Sequence, residues 1–173
     1  RGMNIRPSDS SIFNTEWLNY MDSINLPVSR TMLFYRIPIA NDLPSLGAHI
    51  DINRDSLTEC VPWAINWVIE GDNSKMTWYK LPNDDKAGYQ IKRTMSNTPF
   101  VEWSVNDLIK IDQHEIKNCL TLVKTDVPHS ITMGTGPRWC ISVRSTLNDS
   151  TMSYTWEELI DHLRSLNLLI ERN

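Results

Sequence analysis

The sequence predicts a mainly β protein, a jelly-roll or barrel-like sandwich flanked by helices. From Arg30 onward, short apolar and aromatic runs alternate with clusters of Pro, Gly, Asn and Asp, the punctuation of strands and turns. About eight such runs follow one another, which suits an antiparallel sheet folded onto itself. Helical periodicity is confined to the two ends of the chain.

The first thirty residues are polar and mixed, and Arg1 and Gly2, ahead of Met3, read as a cloning remnant and are set aside. Asn14 stands before Thr15, Glu16, Trp17 and Leu18 as the cap of a short helix running to about Met21. Strands are expected over residues 31–37, 48–52, 63–70 and 75–81, then over 108–113, 119–124, 129–133 and 139–146. Gly71-Asp72-Asn73-Ser74 and Gly134-Thr135-Gly136-Pro137 have the composition of hairpin turns. In the third strand Trp63, Ile65, Trp67 and Ile69 alternate with Ala64, Asn66 and Val68, so it is apolar on both faces, as a central strand should be. Asn66 is a polar residue in that run and requires a partner. Near the end, Thr155 and Glu158 make a capping box, and Leu159, Ile160, Leu163, Leu166 and Leu169 form a helical stripe expected to pack on the sheet.

The chain of 173 residues is read as one domain, with the sheet over about 30–146 and the terminal helix over about 155–170. With 40% hydrophobic and 22% charged residues the composition is that of an ordinary globular protein. A formal net charge of −4 gives no general attraction to a phosphate backbone, so no nucleic-acid partner is expected. No apolar run is long enough to span a bilayer and no signal-peptide pattern opens the chain, so no membrane partner is expected either. Cys60, Cys119 and Cys140 are odd in number and far apart, which reads as buried free thiols and a reducing, cytoplasmic location.

Four histidines, at 49, 114, 129 and 162, limit the possible metal chemistry. In Gly47-Ala48-His49-Ile50-Asp51-Ile52, strand alternation points His49 and Asp51 the same way. An imidazole and a carboxylate side by side are two ligands of a facial metal site. His129, 80 residues on (129 − 49), is the candidate third. Two histidines and one carboxylate leave three adjacent coordination positions free, the arrangement used by non-haem iron(II) oxygenases. Arg138 follows His129 by nine residues (138 − 129), beyond the Gly134–Pro137 turn, and pairing across that turn would return it to the side of His129. Guanidinium suits the bidentate clasp of a carboxylate. Cys140, Ser142 and Arg144 share its face, an inward polar row that is costly without a purpose. Arg144 divides evenly between a second contact to that carboxylate and a structural salt bridge. His114, in Asp112-Gln113-His114-Glu115, reads as a surface turn and His162 as solvent-exposed. The tryptophans are core, with Trp67 or Trp78 as candidates for a substrate pocket.

The His-x-Asp pair, the distal histidine and the following arginine resemble the 2-oxoglutarate- and iron(II)-dependent dioxygenases. The flavour is that of the compact branch with aspartyl/asparaginyl and prolyl hydroxylases and small phage-encoded proteins. The resemblance implies a cupin-like double-stranded β-helix, with His49, Asp51 and His129 on iron(II) and Arg138 on the far carboxylate of 2-oxoglutarate. It implies dioxygen as oxidant, succinate and carbon dioxide as products, and a small-molecule or peptidyl amino-acid side chain as the substrate hydroxylated. Many relatives carry serine where Cys140 stands, so Ser142, with Asn66 and Arg144, is a candidate for the remaining cosubstrate contacts. Residues 82–100, with Lys86, Lys92, Arg93, Tyr89 and Phe100, are expected as loop at the mouth. Two other readings stand beside this one: a cupin-type metalloenzyme that does not use 2-oxoglutarate, and a metal-free jelly-roll binding module.

Overall fold

The computed structural model describes residues 2–5, 14–36, 47–52, 60–71, 73–82, 89–94, 97–116, 119–145 and 154–170, and of 2–5 and 145 the backbone only. The elements in chain order are β1 (Gly2–Ile5), α1 (Thr15–Ser23), β2 (Val28–Arg36), β3 (Ala48–Asp51), β4 (Trp63–Val68), β5 (Lys75–Lys80), β6 (Gln90–Arg93), β7 (Pro99–Trp103), β8 (Ile109–Glu115), β9 (Leu120–Lys124), β10 (His129–Thr132), β11 (Arg138–Ser145) and α2 (Trp156–Ser165). They form two sheets, ordered β1-β2-β11-β4-β9 and β6-β7-β3-β10-β5-β8, with antiparallel pairing throughout. The protein is therefore mainly β and its sheets stack as a sandwich.

The eight strands expected from sequence are β2 to β5 and β8 to β11, with ends shifted by up to three residues at β2. The expected ends at Ile37 and Thr146 lie outside the described residues. Three strands were not legible. Gly2, set aside as a remnant, opposes Phe34 in β1. Within residues 82–100, read as loop, lies β6, whose four residues are all exposed and so lack apolar alternation. It turns back into β7 through Thr94–Thr98, where the Thr94 N–H donates to the Thr98 carbonyl at 2.9 Å and Asn97 takes a φ of 60°.

The two Gly-rich turns do not close hairpins. Gly71–Ser74 leads from β4 in the first sheet to β5 in the second, and Gly134–Pro137 from β10 in the second to β11 in the first. Turn composition reports that the chain reverses; it cannot report whether the next strand pairs or crosses to the facing sheet.

Between the sheets, Ala64, Val68, Val123 and Cys140 from the first meet Met76 from the second, with Phe34, Trp78 and Ile131 packed alongside. The outer face of the first sheet is covered by the helices. Trp63 is buried there against Met21, Leu26, Leu159 and Leu163, and its indole N–H donates to the Tyr154 carbonyl at 2.8 Å. This is why β4 is apolar on both sides. Trp67 lies further along that outer face, 42% exposed, so it cannot line an interior pocket. The outer face of the second sheet buries Ile50, Ile52, Val101 and Trp103.

Asn14 caps α1, accepting the Glu16 N–H at 2.8 Å. The capping box of α2 is present as expected, but the helix ends at Ser165, short of residue 170. Asn167 there has a φ of 55°, and the Leu168 N–H closes on the Leu163 carbonyl at 3.0 Å, a left-handed stop. His162 is half-buried rather than exposed. Its Nε2 donates to the Ile24 carbonyl at 2.6 Å and its ring stacks on Tyr154, tying α2 to the end of α1. Among the described residues, no helix is long and apolar enough to cross a membrane.

Leu159 is fully buried between helix and sheet. Leu159→Ala is expected to cost about 3 kcal/mol through lost transfer energy and the cavity left behind. Thr155→Ala should cost about 1 kcal/mol through the lost cap. Urea denaturation followed by tryptophan fluorescence measures both, and equal losses would contradict this account of the packing.

Candidate metal centre

β3 and β10 are neighbours in the second sheet, and their register sets His129 directly opposite His49. Alternation along β3 then points Asp51 to the same inner face. One ligand atom from each of His49, Asp51 and His129 lies within 4.8 Å of the others. The His49 Nε2 stands 3.8 Å from Asp51 Oδ1, and the two imidazole centroids are 4.4 Å apart. Each ring has its Nδ1 against the carbonyl two residues earlier, His49 to Gly47 at 3.3 Å and His129 to Val127 at 3.0 Å. Donation from Nδ1–H leaves both Nε2 lone pairs free, the tautomer a metal ligand needs. Phe100, opposite Asp51 on β7, presents its ring to His49 at 5.7 Å.

Electrostatics favour the same use. Burial is the largest influence on both imidazoles and lowers their pKa, aided for His129 by the neighbouring His49; His129 falls to about 3. Both rings are therefore neutral at neutral pH and free to donate electron pairs. For Asp51 burial pushes the pKa up, yet Arg144 and the histidines outweigh it and hold the carboxyl at about 2. With the imidazoles neutral, Arg144 is the cation that keeps Asp51 ionised. The set offers two neutral nitrogens and one carboxylate, which fits a divalent ion.

The wall facing the triad is the inner face of the first sheet. Arg138, Cys140, Ser142 and Arg144 of β11 are all buried there, and Ser142 pairs with Asn66 of β4. Arg144 resolves the even choice made from sequence. One Nη donates to Asp51 Oδ2, and the other reaches the Trp63 carbonyl and the Thr125 hydroxyl, each at 3.1 Å. Three of its N–H donors are thus held by protein. Arg138 does not return to β10 across the turn as expected; β10 and β11 lie in different sheets, and Arg138 sits opposite Arg36 of β2. It is 98% buried, from a relative exposure of 2%.

Three side-chain atoms on this wall are buried without a hydrogen-bond partner: Arg138 Nε, Ser142 Oγ and Asn66 Oδ1. The partner that Asn66 requires is thus not supplied by the described residues. Buried polar groups seldom stay unpaired without a reason, and three on one wall call for a polar guest. Gly71 shapes this seat from outside: at a φ of 112°, an added Cβ would lie 2.7 Å from the Arg138 Cβ. Arg36 and Gly71 were not singled out from sequence. The signal for Arg36 was present, since Arg30, Met32, Phe34 and Arg36 share one face of a strand.

The remaining candidates fall away from this centre. His114 is exposed as expected, but on β8 rather than in a turn, paired with Asp112 at 3.0 Å. Trp78 faces inward next to His129 and anchors its indole N–H on the Lys124 carbonyl at 2.9 Å. All three cysteines are free thiols, but only Cys140 is buried. Lys92 pairs with Glu102, Arg93 donates to Asn97, and Lys86 lies outside the described residues. No family model matches the chain, and no curated protein matches it significantly.

The lowered imidazole pKa values have a stability consequence. The folded protein refuses protons that the unfolded chain accepts near pH 6.5, so stability is full above that pH and falls as pH drops toward the folded values. The Asp51 contribution, by contrast, is lost only as pH falls from 3.8 toward about 2. Metal-free protein should lose up to about 1.4 kcal/mol per pH unit below 6.5 for each buried imidazole. Urea titrations at pH 7 and pH 5 read this slope. His129→Asn should flatten it by about half, and an unchanged slope would refute the assignment.

Proposed function

We propose that this protein is an iron(II)- and 2-oxoglutarate-dependent oxygenase that hydroxylates an amino-acid or peptidyl side chain, releasing succinate and carbon dioxide. Its sandwich is read as a double-stranded β-helix. In support, β2-β11-β4-β9 stack on β3-β10-β5-β8, and the chain crosses between the sheets from β2 to β3, β3 to β4, β4 to β5, β8 to β9, β9 to β10 and β10 to β11, while β5 and β8 pair within one sheet, as in a ribbon wound on itself. The observation that carries the functional reading is the coincidence of two things inside one sandwich. A His-Asp-His set with convergent ligand atoms faces a wall where Arg138, Ser142 and Asn66 hold buried polar atoms without partners.

The residues fit both groups. His49 and His129 would bind iron(II) through Nε2 and Asp51 through Oδ1, since its Oδ2 is held by Arg144. Bound iron supplies the dioxygen and one-electron chemistry that side chains lack. Arg138 offers a guanidinium for the far carboxylate of 2-oxoglutarate, and the Ser142 hydroxyl and Asn66 amide offer further hydrogen bonds. Arg144 acts on the metal site instead, orienting a ligand and keeping it ionised. Cys140, beside Arg138, offers only a weak donor where many relatives have a hydroxyl.

Anaerobic addition of iron(II) and then 2-oxoglutarate to metal-stripped protein tests the reading. A visible charge-transfer band that needs both additions, and is absent in His129→Ala, is the expected result. Iron binding without the band would favour a cupin-type enzyme that does not use 2-oxoglutarate, and no iron binding a metal-free binding module. Arg138→Met should raise the 2-oxoglutarate concentration for half-formation of the band by about tenfold to a hundredfold, the worth of a charged hydrogen bond. Gly71→Ala, which crowds Arg138 and strains the backbone at a φ of 112°, should weaken 2-oxoglutarate more than iron binding. Loss of both together would mean that Gly71 serves folding alone.

A further inference from the structure

The inner face of the first sheet carries more positive charge than one cosubstrate carboxylate can serve. Cross-strand pairing sets Arg138 against Arg36 at one end of β2 and β11, and Arg144 against Arg30 at the other. Like charges opposite one another repel, so each pair calls for an anion. The two pairs are six residues apart along β2 (36 − 30), or about 20 Å of extended backbone. The far carboxylate of a five-carbon diacid seated at Arg138 cannot also reach Arg30.

At the Arg30 end, Asp51 is the nearby carboxylate, and its two oxygens are committed, Oδ2 to Arg144 and Oδ1 toward His49. Among the described residues, Arg30 has one hydrogen bond, from its Nη2 to the Thr98 hydroxyl at 3.2 Å, a neutral partner. Burial and then Arg144 act against its charge, and Asp51 only partly offsets them. Thr98 precedes Pro99 and Phe100, and Phe100 lies opposite Asp51 with its ring against His49. Arg30 thus bridges the first sheet to the β6–β7 hairpin on the Asp51 side of the triad, away from Arg138. A half-buried guanidinium without a carboxylate of its own is an expensive way to make one bond to a threonine.

We propose that Arg30 anchors the substrate, taking a carboxylate of the molecule to be oxidised and so setting its reacting carbon beside the His49–Asp51–His129 centre. This rests on the oxygenase reading above. The carboxylate could be the α-carboxylate of a free amino acid or the side chain of an acidic peptide, and the chemistry at Arg30 is the same for both.

The test is calorimetric titration of protein loaded with Mn(II) and 2-oxoglutarate, after the iron charge-transfer band has been established in wild type and variants. Two sets of probes separate the sources: free amino acids against their α-amides, and acetylated, amidated tripeptides with central Asp or Glu against Asn or Gln. In one set the carboxylate member should bind at least about tenfold tighter than its amide. Arg30→Met should remove that preference and keep the band, and Arg30→Lys should retain part of it. No preference in either set, or a preference that survives in Arg30→Met, overturns the assignment while leaving the oxygenase reading intact. Loss of the band in Arg30→Met would move Arg30 into the iron or cosubstrate seat and also overturn it. Absence of the band in wild type refutes the oxygenase reading and this inference together.

Discussion

The ion pair between Arg144 and Asp51 is the contact on which the interior depends. It joins β11 of one sheet to β3 of the other, and the same guanidinium binds the Trp63 carbonyl and the Thr125 hydroxyl. Thr125 in turn donates through its hydroxyl to the Val61 carbonyl at 2.7 Å and accepts the Asp51 N–H on its carbonyl at 3.3 Å. A buried pair of this kind adds little net stability compared with apolar packing, but removing one partner strands a charge and costs about 3–5 kcal/mol. Its value lies in geometry. It fixes which oxygen of Asp51 faces the histidines and ties the arginine-bearing sheet to the sheet that carries the triad.

Around that contact the sandwich divides its labour. Between the sheets Ala64, Val68, Cys140 and Met76 are apolar and supply cohesion. Interleaved with them on the same strand faces, Asn66, Arg138 and Ser142 are polar and contribute little to burial energy. Stability is recovered on the outer faces instead. The helices bury Trp63 with Leu159 and Leu163 on one side, and Trp103 packs with Ile50 and Val101 on the other. A fold that places its cleanest apolar clusters outside its sheets can keep a polar cleft between them, in line with the general rule that local violations concentrate at functional sites.

Much of this was legible in the chain, for identifiable reasons. His49 and Asp51 share a face because strand alternation is strict, and with only four histidines His129 had few rivals. Thr155 and Glu158 announce their helix through a local bonding rule. What could not be read depends on neighbours distant in sequence. Gly134–Pro137 looks the same whether β11 pairs with β10 or crosses to β2, so the position of Arg138 was misjudged. β6 hides because all four of its residues face solvent. Arg30 and Arg36 acquire meaning only when β11 lays Arg144 and Arg138 beside them, and Arg144 only when Asp51 arrives from the facing sheet.

The arginine wall has a consequence for how the proposed guests would enter. Arg30, Arg36, Arg138 and Arg144 face an interior whose triad contributes one carboxylate, and both imidazoles are neutral. A divalent cation arriving alone meets a field that opposes it, while a dianion arriving alone is welcomed but lacks its chelating partner. Each would lower the electrostatic cost of the other, so the binding of the proposed pair would be positively cooperative, with the same gain in affinity in either order. Electroneutrality would then make the interior hold each guest more firmly in the company of the other than alone.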